Sequence, residues 1–209
     1  MRPKLLLFDL DGVLVDYRRD LRCRHLAENL GVGEHEVRQA LFGRGLEARS
    51  DRGELDLPEY LDELRTDFGW NLPDDEFIAA RRHATQARPE MLQMCGRLAD
   101  EVALAIFSNN GAWFAEYAPR IVPELLPLFG RRFVCSGSIG ACKPDPDAFT
   151  ACLQRLGFNG YSTLFIDDAP ENIEGAREAG LDAVLYQSYD ALCAELKARD
   201  LDPGEDHAP

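Results

Sequence analysis

No apolar run in these 209 residues approaches the roughly 20 consecutive residues that a membrane-spanning helix needs. The stretch Leu5–Phe8 behind Met1-Arg2-Pro3-Lys4 is cut off by Asp9 and Asp11. It is too short for a signal-peptide core and predicts a buried strand. No C-x-x-C pair occurs. The six cysteines (Cys23, Cys95, Cys135, Cys142, Cys152, Cys193) and four histidines are scattered without zinc-ligand spacing, so free thiols in a reducing cytoplasm are expected. Basic charge is scarce: 23 Lys and Arg face 37 Asp and Glu, a net charge of −14. Such a field repels nucleic acid and anionic membranes, which excludes both as expected partners. It equally repels phosphate esters, so any phosphate site must build its own local positive field. Repeats and low-complexity tracts are absent, and only the polar tail 201–209 is expected to be disordered.

What is present falls into two textures. Residues 1–16 and 88–200 alternate short apolar runs with amphipathic segments. The runs are Leu5–Phe8, Val102–Phe107, Arg132–Cys135, Leu164–Ile166 and Ala183–Tyr186, each apolar at successive positions as a strand buried on both faces should be. Helical patterns lie near 90–100, 112–121, 146–156 and 170–179, with Pro146 and Pro170 at starts and Gly157 and Gly180 at ends. This alternation predicts an α/β fold, a Rossmann-like parallel sheet with helices on both faces. Residues 17–87 read as helices only, near 19–30, 34–42, 58–68 and 74–86, with Gly31 and Gly69 as stops. An all-helical block inserted after the first strand predicts a cap over the site, built on a catalytic core of 1–16 and 88–200.

In an open parallel sheet, ligands bind beyond the carboxyl ends of the strands. The residues there are Asp9-Leu10-Asp11-Gly12, Ser108-Asn109-Asn110-Gly111, Lys143-Pro144-Asp145 and Asp167-Asp168. Singly, each could cap a helix or make a turn. Their order after successive strands makes one converging site the better reading.

With these residues in view, the chain resembles the haloacid dehalogenase-like (HAD) hydrolases, and the resemblance covers nearly its whole length. Asp9-Leu10-Asp11-Gly12-Val13-Leu14 is similar to the first motif of that superfamily, Ser108 to the second, Lys143-Pro144 to the third, and Asp167-Asp168 with Asn172 to the fourth. The subgroup flavour resembles sugar-phosphate phosphatases and the phosphatase half of soluble epoxide hydrolases. The resemblance implies a Mg²⁺-dependent phosphatase acting on a small phosphomonoester. Asp9 would be the nucleophile and Asp11 the general acid and base. Mg²⁺ would be held by the Asp9 carboxylate, the Asp11 carbonyl and Asp168, with Asp167 and Asn172 behind them. Ser108, the Asn109 amide and Lys143 would bind the phosphoryl group. Such a mechanism suits the residue types, because phosphoryl transfer needs an in-line nucleophile, a leaving-group acid and concentrated positive charge.

Within that superfamily, Asp11 argues against a dehalogenase, and the lack of any lysine in residues 17–88 argues against a phosphonatase. A sugar phosphomutase and a non-catalytic phosphate-binding module are the alternatives. In the cap, Arg44 in the Gly43-Arg44-Gly45 turn is the candidate specificity residue, while Trp70 and Trp113 read as packing residues. A monomer or homodimer is expected.

Overall fold

In the computed structural model, which describes residues 2–204, the chain opens with β1 (Leu5–Phe8) and β2 (Val15–Tyr17). Five helices follow: α1 (Arg19–Leu30), α2 (Glu34–Arg38, continued by a π-helical turn over Gln39–Gly43), α3 (Leu46–Asp51), α4 (Leu57–Phe68) and α5 (Asp74–His83). After β3 (Thr85–Ala87) come α6 (Pro89–Leu98), β4 (Ala103–Ser108), α7 (Ala112–Ile121), α8 (Leu126–Phe129) and β5 (Phe133–Cys135). The chain finishes with α9 (Pro146–Leu156), β6 (Thr163–Asp167), α10 (Pro170–Glu178), β7 (Asp182–Leu185) and α11 (Tyr189–Lys197).

All five predicted strands pair in one parallel sheet of order β5-β4-β1-β6-β7. The first strand is therefore central, with Leu5 opposite both Ala103 and Thr163. Successive side chains leave opposite faces of a strand. Leu6, Phe8, Leu104, Ile106, Leu164 and Ile166 share one apolar cluster with residues of α6, α7, α8 and α11. Leu5, Leu7, Ala105, Phe107 and Phe165 share the other with Phe149, Cys152, Ile173 and Ala176 of α9 and α10. Burial on both faces explains why these strands carry apolar residues at consecutive positions rather than alternating ones.

The inserted block is helical, as expected, but it is not helices only. Tyr17 and Thr85 pair in a two-stranded antiparallel ribbon, Val15–Tyr17 against Thr85–Ala87, where chain leaves and re-enters the core. α5 accordingly ends at His83 rather than running to 86. The ribbon is tied down by Arg88, whose guanidinium donates to Asp16 and to the Gly12 carbonyl. The tail also departs from expectation. Leu201 and Pro203 are buried, and Arg97 donates to the Pro203 carbonyl, so 201–204 are packed against the core. The remainder of the predicted disordered tail lies outside the described residues. No helix among the described residues is long and apolar enough to cross a membrane, and none of the six cysteines is in a disulfide.

Candidate active site

Because β1, β4 and β6 are parallel neighbours, their carboxyl ends deliver Asp9, Ser108 and Asp167 to one edge of the sheet. Lys143, in the loop leading from β5 to α9, joins them from the side. Its Nζ lies 2.7 Å from Asp9 Oδ1 and 2.6 Å from Asp167 Oδ2, and the side chain is almost fully buried. The rings of Phe107 and Phe165 lie beneath the ammonium, 5.6 and 5.3 Å from it. Burial alone would lower this lysine, yet the carboxylates of Asp9 and Asp167 outweigh that cost and leave its pKa raised. For Asp9 the balance runs the other way. Burial pushes its carboxyl up, Lys143 opposes the rise, and Asp167 and Asp11 reinforce it.

Asp167 is fully buried and spends both oxygens inside the protein, on Lys143, on Asn172 Nδ2 and on the Ala169 amide. Asp168 is exposed, and its pKa is raised by partial burial and by the Asp167 carboxylate. Oxygens of Asp9, Asp167 and Asp168 can lie within 4.8 Å of one another. Gly12, at φ +92°, makes this possible, since a Cβ there would stand 2.2 Å from Asp168 Oδ2. An all-oxygen cluster in which the Asp9 and Asp168 carboxyls carry upward-shifted pKa values fits a hard divalent cation, which would relieve their repulsion.

The second motif serves the third. Asn109 accepts from the Lys143 amide at 2.9 Å and donates to the Lys143 carbonyl at 2.8 Å, clamping the lysine's backbone. The Asn109 side chain is thereby committed inside the protein, which leaves its backbone N–H as the group able to face a ligand. Ser108 is buried, and its hydroxyl accepts from Asn110 Nδ2 at 2.8 Å, so Asn110 orients it.

Asp11 faces the cap. Arg81 of α5 donates from one nitrogen, Nη2, to both Asp11 oxygens at 2.8 Å. Arg44, by contrast, is not brought to the site. Its guanidinium lies 4.7 Å from the Phe68 ring centroid and 3.7 Å from Asp67, and its side chain is exposed. Trp113 and Trp70 are buried as expected, and Trp113 Nε1 donates to Ser50 Oγ of α3, joining core to cap. Arg81 was legible in principle: with Phe77 and Ile78 it stands at helical spacing on the apolar face of α5, where an unpaired cation is out of place. A cleft of about 620 Å³ opens beside Asp11 and Asp168 at the β2–β3 ribbon, bordered on the cap side by Tyr17, Arg18 and His83.

Comparison with known proteins agrees with this geometry. The haloacid dehalogenase-like hydrolase family profile matches residues 3–180. The chain belongs to that family. A Mycobacterium tuberculosis phosphatase is 50% identical over 212 residues, covering 95% of each chain. A phosphoglycolate phosphatase of Pseudomonas syringae pv. tomato is 31% identical over 199 residues, covering 90% of this chain and 70% of its own. A HAD family enzyme of Bacteroides thetaiotaomicron, solved with magnesium and inorganic phosphate, superposes with a TM-score of 0.75 at 20% identity, over 91% of this chain and 98% of that one. The protein is thus a HAD-like hydrolase of phosphatase type.

Proposed function

We propose that this phosphatase hydrolyses a small phosphomonoester in two steps through an aspartyl-phosphate on Asp9. The observation that carries the reading is the Lys143 ammonium held between Asp9 and Asp167, with Asp168 completing a carboxylate cluster at the ends of adjacent strands.

In the first step an Asp9 oxygen attacks phosphorus, the ester P–O bond breaks, and Asp11 gives its proton to the departing alkoxide. In the second step Asp11 takes a proton from water as that oxygen attacks the phosphoryl group. The P–O bond to Asp9 breaks, inorganic phosphate leaves, and Asp9 is again a carboxylate. Lys143, the Ser108 hydroxyl and the Asn109 backbone N–H hold the phosphoryl oxygens. Their donors stand ready before substrate arrives, so little reorganisation accompanies reaction. Asp167 and Asn172 fix the lysine and the cluster. Mg²⁺ fits the oxygen donors of Asp9, Asp168 and the Asp11 carbonyl, and when bound it would neutralise the phosphoryl oxygens. The Bacteroides neighbour's magnesium and phosphate, and the phosphatase names of the relatives, support this reading. The cap over the site favours small soluble esters, sugar phosphates among them.

The test is phosphate release from an aryl phosphate with Mg²⁺ and with excess chelator, followed by acid quench and mass analysis of the peptide bearing Asp9. Release that needs the cation, with a phosphoryl adduct on Asp9, is expected. Undiminished release in chelator would remove the metal, and absence of the adduct under turnover would remove Asp9 as nucleophile.

A further inference from the structure

Two arginines of the cap have no part in the steps above. Arg22 on α1 is fully buried and Arg81 on α5 is 1% exposed. A guanidinium carries five N–H donors and cannot shed its charge, so burial calls for acceptors around it. These two fall short. Arg22 Nη1 donates to the Tyr17 hydroxyl and to Glu47 Oε1, but Arg22 Nε and Nη2 are buried with no acceptor. Arg81 Nη2 holds Asp11, but Arg81 Nε has no acceptor either. Aromatic rings hold both groups flat: Arg81 lies 3.4 Å from the Tyr17 centroid and 4.9 Å from that of Phe114, and Arg22 lies 4.7 Å from that of Phe77. Rigid, stacked guanidiniums with idle donors make a preformed anion site.

Among the described residues Asp11 is the one hydrogen-bond acceptor of Arg81, and it is also the residue that must face the leaving-group oxygen. It cannot present both oxygens to Arg81 and serve the substrate at once. We propose that Arg81 and Arg22 form a subsite for an anionic group on the leaving-group side, and that the substrate is a phosphorylated hydroxy acid whose carboxylate replaces Asp11 on Arg81. The proposal rests on the phosphatase reading above.

Three observations select the carboxylate and its position. Carboxylates, Asp11 and Glu47, are what the two guanidiniums already hold. A planar two-oxygen acceptor answers several idle N–H donors together, whereas a neutral hydroxyl leaves a buried cation uncompensated. Arg81 reaches the residue two places from Asp9, so the anion must lie within a few bonds of the ester oxygen. Both arginines are sealed in this arrangement, so a ligand reaches them only if cap and core part.

The test uses the full-length protein with Mg²⁺ and two substrates differing only in the group at issue, 2-phosphoglycolate and 2-hydroxyethyl phosphate, beside 4-nitrophenyl phosphate. The ratio of kcat/KM for the carboxylate over the alcohol should be roughly tenfold or more in the wild type. It should fall toward one in Arg81→Gln and in Arg22→Gln, and recover in part in Arg22→Lys. Because Arg22→Gln leaves the Glu47 carboxylate with the Tyr60 hydroxyl but without its guanidinium, Arg22→Gln/Glu47→Gln is run beside it as a charge-balanced variant. A wild-type ratio near one, with the aryl phosphate turned over, overturns the subsite and leaves the phosphatase intact. No turnover of any ester overturns the phosphatase reading and the subsite with it.

Discussion

Core and cap each bury cations, but they do so differently. In the core, Lys143 meets two carboxylates, its backbone is clamped by Asn109, and Asp167 is saturated in turn by Asn172 and the Ala169 amide. In the cap, Arg22 and Arg81 are as deeply buried yet keep idle nitrogens, and the Asp51 carboxyl stands near enough to both for their charges to act on it. A completed network is rigid and suits a reaction that is the same for every ester. An incomplete one spends stability on a place where part of a ligand can be read. The division matches a fold in which chemistry stays on the sheet and choice is delegated to the insertion.

The sharpest way to break that division is to disable the core and ask whether the cap still binds. Asp9→Asn should cost about 10⁴-fold or more in turnover, while leaving substrate binding by calorimetry largely in place. A matching loss of binding would mean that Asp9 shapes the whole pocket. Next in size is Lys143→Ala, which leaves Asp9 and Asp167 buried without their cation. Removing one partner of such a pair destabilises by about 3–5 kcal/mol, and chemical denaturation should register it. Near-normal stability would mean that water or a cation replaces the ammonium.

A third measurement concerns the cap. Burial, then the Glu47 carboxylate, push Asp51 up to about 8, with Asp11 adding to the rise and Arg81 and Arg22 opposing it. The folded pKa lies above the ordinary 3.8, so the native state holds this proton more tightly than the unfolded chain does. The resulting stability is complete below the unfolded pKa and is lost as pH rises through the folded one. Asp51→Asn should therefore gain on the wild type between those values, by at most about 1.4 kcal/mol per pH unit, with no further gain above them. Parallel Tm profiles for the two proteins would show that Asp51 stays ionised. Smallest of all is Arg44→Ala. An exposed guanidinium on Phe68 should change stability by less than about 0.5 kcal/mol, and leave the preference among esters unmoved. A changed preference would restore Arg44 as a reader of substrate.

The core was legible because its strands are buried on both faces. Leu5–Phe8 and Leu164–Ile166 are unbroken apolar runs, and the polar residue following each is what the sheet presents to the site. Four clusters after four strands could then be placed on one edge before any coordinates. The β2–β3 ribbon was not legible. Val15–Tyr17 and Thr85–Ala87 are three residues each, half-polar, and distant in sequence, so no local period marks them. Arg44 drew attention because glycines flank it, which reports backbone freedom rather than function. Arg22 and Arg81 sat within helical patterns whose apolar neighbours should have made their charge conspicuous. Their meaning still depends on α1 and α5 meeting over Asp11, which no one-dimensional pattern contains.

Where the Gly53 turn of the cap meets Gly137 of the core, the contact is made by glycine. A Cβ on Gly53 would stand 2.4 Å from the Gly137 carbonyl oxygen, and one on Gly137 would stand 2.6 Å from the Ala112 amide nitrogen and 2.7 Å from the Ser50 carbonyl oxygen. Backbone therefore lies against backbone, with no side chain to act as a gasket. A seam of this kind tolerates no spacer: one methyl group works as a doorstop. Gly137 has no positive φ to defend, so Gly137→Ala is a wedge free of backbone strain. It would press on Ser50 of the cap and on Gly111 and Ala112 of the core at once, and so offers a handle on how tightly the two surfaces close.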